Sequence, residues 1–575
     1  MKTKLALSII LLSVFFIYEE GMAQTNVSGF ISANTTWNLA GSPYILVGNT
    51  LVSHGYILTV EPGVIVKFNT DKALQIDGEL IAIGTSANRI TFTSNQPSPA
   101  AGDWAKIHFP DTCVDAVFDT VGNYLSGSIM KYCDVLYGGG LGFGEIQVEG
   151  SSPYFTHCNI SNSSADGIHC NGSTCLVDSS SLKFCAGYGL SFDYYFLQSN
   201  SLLVQDDSIL NNSSGGIYSG NNGLGAVLYP YEIKRNVFIS NSQDGALFID
   251  YDVWEATVSE NYFFNNTSQG SSGIVTIAGR NLTVTCNRFI NNQVANHGTL
   301  YLENSNDFGI SYIDNNVFDG NISNAAVSAL FLVCNNYPSP QQTIYLTNNV
   351  IENNVSASGG STCYFRGYPI PNNEGLFNLA HNNIVNNQAA TTLQLNTGAS
   401  QNNNTNRYAV LKNNNLINPA VQYEIENNLP YGDANIYADS NYWGGTITQH
   451  IDSVIYDYFD FANQTVVYYN PILTSPIILD SSCSLIPMGI MDFNKPTYPA
   501  ISLYPNPATD YLTIKTGSNK KQVITITDIT SKIIYTATTP SDKTIINTKD
   551  FSQGVYAVQV QADDFIETKK VIVVR

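Results

Sequence analysis

Residues 283–293 read TVTCNRFINNQ, an apolar run followed by a phenylalanine with asparagines on both sides. The phrase returns as KRNVFISN at 234–241, SENYFFNN at 259–266, DNNVFDGN at 314–321 and TNNVIENN at 347–354. Taking Asn287 as position zero, equivalents fall at Cys133, Cys158, Ser180, Asp207, Asn236, Asn261, Asn316, Asn349, Asn382, Asn414 and Asn441, in steps of 22 to 33 residues. Two residues on, from Val135 through Phe289 to Trp443, and three residues back, from Met130 through Val284 to Ala438, every entry is apolar.

Inside each repeat the alternation has period two, with Leu282 and Val284 inward and Thr283 and Thr285 outward. A strand period within an outer period of 20–30 residues specifies a solenoid with one coil per repeat. Leucine-rich and helical repeats are excluded by the absence of a tight Leu spacing and of 3.6-residue periodicity. A parallel β-helix remains, in which like positions stack ~4.8 Å apart. A buried amide left unpaired costs a few kcal/mol, so the zero-position Asn residues are expected to bond one another as a ladder.

The 575 residues are 43% hydrophobic and only 12% charged, with a net charge of −21. Residues 24–500 hold fourteen Lys/Arg against thirty-seven Asp/Glu, whereas 501–575 hold nine against seven. So acidic a body repels the phosphates of nucleic acid and anionic membrane surfaces. The start, MKTKLALSIILLSVFFIYEEGMAQ, has the basic, apolar and small-residue regions of a secretory signal peptide ending at Ala23. No later stretch reaches the ~18–20 apolar residues of a membrane span. Ten Cys occur without metal-site spacing. Most are expected as buried thiols, with Cys170 and Cys175 near enough to bridge a turn.

The expected organisation is a signal peptide at 1–23, opening coils and cap at 24–128, Asn-ladder coils at 129–445, a closing cap at 446–473, a linker at 474–499 and a C-terminal module at 500–575. The fold class is all-β, a parallel solenoid followed by a small antiparallel β-sandwich, the latter from the alternating strands YLTIKT, QVITITDI, KIIYTAT, VYAVQVQ and KKVIVVR.

With its stacked columns and NYWGG (441–445), the body over 24–473 resembles the right-handed parallel β-helix proteins of the pectate-lyase-like superfold, which host lyases, hydrolases, adhesins and binding proteins. The module resembles the type A C-terminal sorting domain of the bacterial type IX secretion system. Tyr504, Pro505, Asn506 and Pro507 in ISLYPNPATDYLTI, Gly554 and Tyr556 in FSQGVYAVQV, and Lys569 and Lys570 in KKVIVVR carry that likeness. It implies passage through periplasm and outer membrane by the type IX machinery, then release or surface attachment.

Chemistry is sparser. A polygalacturonase-like set appears only as fragments, Asn69-Thr70-Asp71, Asp206-Asp207 and His297-Gly298, several coils apart. Outward-facing aromatics are more suggestive. If Leu300/Leu302, Leu330/Leu332 and Cys363/Phe365 face inward, then Tyr301, Phe331 and Tyr364 line up outside, extended by Tyr218 and Phe248. The next outward column holds Asp193, Asp250, Glu303 and Arg366, and DYDVWE adds Trp254. Aromatics beside carboxylates suit sugar stacking with hydroxyl hydrogen bonds. The expected function is binding of a glycan or other surface ligand without catalysis; the alternative is a polysaccharide lyase or glycoside hydrolase. Polysaccharide is the expected ligand, nucleic acid is not, and a monomer is expected. No cofactor is expected, with Ca²⁺ the one candidate.

Overall fold

A computed structural model describes residues 24–194, 201–221, 230–305, 308–335, 341–357, 359–367, 376–397, 407–432, 434–479, 483, 502–504, 508–515, 521–528, 532–562 and 565–574. The chain divides into two compact units, residues 1–483 and 484–575.

The first unit is a parallel β-helix. One coil shows the plan: Tyr231–Lys234 lies in one parallel sheet, Val237–Ile239 in a second, and Leu247 to Ile249 in a third. Each strand pairs in register with its counterparts one coil before and after, as in Val237↔Tyr262, Phe238↔Phe263 and Ile239↔Phe264. The inward columns are as the alternation dictates, with Val284, Phe289 and Asn287 all at 0% exposure. Phe238, Phe263, Phe289 and Phe318 stack along the axis at centroid spacings of 4.8, 4.8 and 4.5 Å. Each such side chain contributes ~1.5–3 kcal/mol by burial.

The expected ladder is present. Asn261 donates its backbone N–H (2.9 Å) and its Nδ2 (3.0 Å) to Asn287 Oδ1, and Asn287 donates both to Asn316 Oδ1 at 2.9 and 3.0 Å. The spare Nδ2 proton goes back to a carbonyl of the preceding coil, Val258 O for Asn287 at 2.8 Å. A second ladder runs beside it through Asn212, Asn241, Asn266, Asn292, Asn321, Asn354, Asn387 and Asn418. It ends on Glu424, whose two carboxylate oxygens accept Asn418 N at 2.6 Å and Nδ2 at 2.9 Å. Residues just before the rungs sit in the left-handed region: Cys286 at φ 57°, Asn315 at 56°, Asn348 at 56°, Asn291 at 53° and Asn353 at 57°. Asn tolerates that conformation better than most side chains. Doublets such as Asn315-Asn316 therefore combine a bend residue with a rung.

Coils begin at Thr25–Ile31, pairing with Tyr44–Val52. At the far end Ile455–Tyr456 and Val467–Tyr468 add a last partial coil on Tyr423–Asn427 and Asn435–Tyr437, with the short helix Thr448–Ser453 between. The stretch read as a linker from 474 is held against the rod where it is described. Ile477 N–H donates to Asn415 Oδ1 (2.9 Å), Asn415 Nδ2 donates back to Ile477 O (3.1 Å), and Cys483 is disulfide-bonded to Cys286. A second disulfide joins Cys170 and Cys175, the pair close in sequence. Cys113, Cys133, Cys158, Cys185, Cys334 and Cys363 are buried thiols.

The second unit pairs Ser502–Tyr504, Tyr511–Lys515 and Lys543–Asn547 in one antiparallel sheet, and Ile533–Thr539, Gln522–Asp528, Gly554–Ala562 and Phe565–Val573 in another. Leu512, Ile514, Ile524, Ile526, Val558, Val560, Val571 and Val573 form its own core, as the alternation predicts for a sandwich.

Candidate functional site

The third sheet carries the outward aromatic column. Tyr301 pairs with Phe331 and Phe331 with Tyr364 in register, and Tyr218 pairs with Phe248. The column is broken once, because Thr276 stands between Phe248 and Tyr301. Two aromatic groups result, Tyr188–Tyr218–Phe248 with centroids 4.9 and 5.4 Å apart, and Tyr301–Phe331–Tyr364 at 5.3 and 4.5 Å. Ring stacked on ring covers most of the faces a sugar would use. Tyr364 differs: the next residue in its column is Gln394, so its far side has no ring neighbour there.

Beside Phe331 and Tyr364 lies a cavity of about 300 Å³ that they line together with Gln394, Ser361, His297 and the small residues Ala325, Ala326, Gly359 and Gly360. A second lobe of about 110 Å³ is lined by His297, Tyr301, Glu303, Phe331, Val333 and Arg366. His297 and Phe331 belong to both lobes, making one cleft with an apolar and a polar end. Burial pushes the His297 imidazole below its ordinary pKa, against an opposing hydrogen bond to Ser271 O, so it faces the cleft neutral near pH 7. Tyr301 OH donates to Glu303 Oε2 at 2.6 Å, fixing that carboxylate in the polar lobe.

Tyr301, Glu303, Phe331, Tyr364 and Arg366 thus come together. Tyr218 and Phe248 lie on the same face beyond Thr276. Trp254 does not join them: Leu247–Ser259 is one strand crossing from the third sheet into the first, and Trp254 lies past the crossing, with Arg280 over its ring at 4.6 Å. Asp250 is in the same strand, and its side chain lies outside the described residues. His297 was not among the expected site residues; it sits in the turn before the strand, where alternation gives no direction. Among the described residues no three His, Cys, Asp or Glu are grouped to hold a metal, and no helix is long and apolar enough to cross a membrane.

Of the sorting-motif residues, Tyr556 is 6% exposed, donates its OH to Ser552 O at 2.8 Å and packs on Phe551. Gly554 begins its strand opposite Val573, and Lys569 and Lys570 pair with Val558 and Ala557 in the last hairpin. Tyr504 ends the first strand, and Pro505, Asn506 and Pro507 lie outside the described residues.

Two family models match this arrangement. Residues 502–574 match the secretion system C-terminal sorting domain, and residues 195–374 match the right handed beta helix region. The chain carries a right-handed β-helix and a type IX sorting tail. Such a tail implies handling by the type IX machinery and export to the cell surface or the medium. No curated protein matches the chain. Among solved structures, PorZ, a bacterial surface component of the type-IX secretion system of Porphyromonas gingivalis, is 25% identical with a TM-score of 0.13. That match covers 13% of this chain and 12% of PorZ. The periplasmic alginate epimerase AlgG is 9% identical with a TM-score of 0.18, over 62% of this chain and 75% of its own.

Proposed function

We propose that the exported rod binds a glycan in the two-lobed cleft around His297 and Phe331, with the tail serving its delivery. The observation that supports this reading is the cavity of about 300 Å³ lined by Phe331 and Tyr364, beside a polar lobe containing Glu303 and Arg366. A sugar ring stacks on the tyrosine through its C–H face, while carboxylate and guanidinium pair its hydroxyls.

The test is retention of the secreted protein on a panel of insoluble polysaccharides. Tyr301→Ala with Tyr364→Ala is expected to fold normally and to lose retention. Retention equal to that of the parent removes the proposal.

A further inference from the structure

The polar lobe of the cleft holds two opposite charges that are not paired with each other. Among the described residues its lining carries one carboxylate, Glu303, and one guanidinium, Arg366. They stand in the same outward column of the third sheet, in register through Val333 and so two strand spacings apart. Val333 is 5% exposed, which makes the floor between the two charged heads apolar. Arg366 is exposed and enters none of the ion pairs among the described residues. Glu303 is turned toward Tyr301, whose hydroxyl donates to its Oε2 at 2.6 Å.

We propose that the cleft selects a zwitterionic glycan, in which the ammonium of an amino sugar meets Glu303 and the carboxylate of an acidic sugar meets Arg366. The proposal rests on the reading of the cleft as a glycan site and adds the charge that the glycan must carry.

Charge complementarity carries this inference. A polymer with acidic sugars alone would satisfy Arg366 but would also run along a rod whose residues 24–500 hold fourteen Lys/Arg against thirty-seven Asp/Glu. Such a chain is repelled wherever its charges come within the screening length, ~8 Å at physiological ionic strength. A polymer with amino sugars alone is drawn to the rod, yet inside the lobe it places an ammonium beside the guanidinium. Like charges brought together cost several kcal/mol and reject the wrong partner. A chain with both groups has no net charge to be repelled, and it offers each head its counter-ion over an apolar floor, where charge pairs are stronger than in open water. Burial lowers the His297 pKa, so its imidazole adds no third charge near pH 7. Phe331, shared by both lobes, and Tyr364 in the larger one provide ring faces for the sugar that spans them.

The experiment is calorimetric titration of the secreted full-length protein with four tetrasaccharides. Hyaluronan tetrasaccharide carries carboxylates only, its de-N-acetylated form carries both charges, chitosan tetrasaccharide carries ammonium groups only, and cellotetraose carries neither. The de-N-acetylated hyaluronan is expected to bind at least about tenfold tighter than each of the others, or ~1.4 kcal/mol. Glu303→Gln should erase the difference between the two hyaluronan forms. Arg366→Gln should erase the difference between de-N-acetylated hyaluronan and chitosan. Equal affinities for all four in the parent, tightest binding of any other tetrasaccharide, or an unchanged preference in either variant overturns the inference. If that binding is nonetheless lost in the Tyr301→Ala, Tyr364→Ala protein, the cleft stands as a glycan site of other specificity. Absence of binding to all four also overturns the inference, and the binding reading falls with it only if the polysaccharide panel retains nothing.

Discussion

Asp207 occupies the rung between Ser180 and Asn236, the last before the unbroken run of asparagines. One carboxylate oxygen accepts Ser180 N–H at 2.5 Å, and its own N–H donates to Asn236 Oδ1 at 2.9 Å. The other oxygen, Oδ2, is buried without a partner. At Asn236 the matching atom is an NH₂ that donates to Val204 O and Asn261 Oδ1. A carboxylate cannot donate, and a neutral carboxyl can. Burial raises the Asp207 pKa well above its ordinary value, so the folded state holds a proton that the unfolded chain releases near pH ~4. Stability therefore falls as pH rises from ~4 toward the folded pKa. Asp207→Asn should stabilise the rod by ~1–3 kcal/mol at pH 8, the cost of one unsatisfied buried group, and should change little at pH 4. Urea midpoints of both proteins at the two pH values check this; an equal shift at both is the contrary outcome.

Asn287→Ala should be costly for the same reason. It removes the acceptor for Asn261 N and Nδ2 and the donor to Val258 O. With three buried groups left unpaired, the expected loss is about 3 kcal/mol or more. Asn291→Ala is the comparison, since Asn291 is a bend residue at φ 53° rather than a rung. Its cost should stay near the ~1–2 kcal/mol of a left-handed non-glycine residue. Equilibrium denaturation of both variants ranks them.

The inner columns were legible because burial repeats at fixed offsets, and Phe289 and Val284 are buried as the alternation of 283–293 requires. The second ladder was not. Asn212, Asn266 and Asn321 carry Asn-x-Ser/Thr sequons that follow from the chain's Asn-rich composition, and only the fold shows all three at 0% exposure. Trp254 was misgrouped because counting by two cannot detect a corner inside a continuous strand, and Leu247–Ser259 turns between Ile249 and Val253. The aromatic column was in correct register, but register does not reveal that rings stacked on one another cover their own faces. Cys286 and Cys483 are separated by 197 residues, and nothing local pairs them.

The cleft offers a test that leaves its aromatics untouched. Ala325 is exposed and lines the larger lobe. Ala325→Trp should fill much of that space without disturbing the inward columns. Retention on whichever polysaccharide binds should weaken at least tenfold, or ~1.4 kcal/mol. Unchanged retention would place the ligand elsewhere on the sheet.

The fastening at Cys483 makes a prediction about the end of the rod. Ile477 is held at the Asn415 coil, and Cys483 is bonded at the Cys286 coil, with Sγ 3.6 Å from Asn315 O. Four coils separate those levels, ~19 Å at strand spacing, a length that six residues of chain can span. The bond thus ties the chain after the closing cap to a mid-rod coil, so the last coils cannot open without stretching this tether. In the chain-entropy account a loop of this length is worth up to ~5 kcal/mol. Cys483→Ser should lower the unfolding midpoint of the rod and raise hydrogen exchange most strongly in 407–473, leaving the coils around 236–264 protected. Reductant should lower the parent by more than the variant and bring both to a similar midpoint, since both lose the Cys170–Cys175 bond and only the parent loses the Cys286–Cys483 bond. Equal protection of 407–473 in parent and variant would show that the last coils hold without the tether.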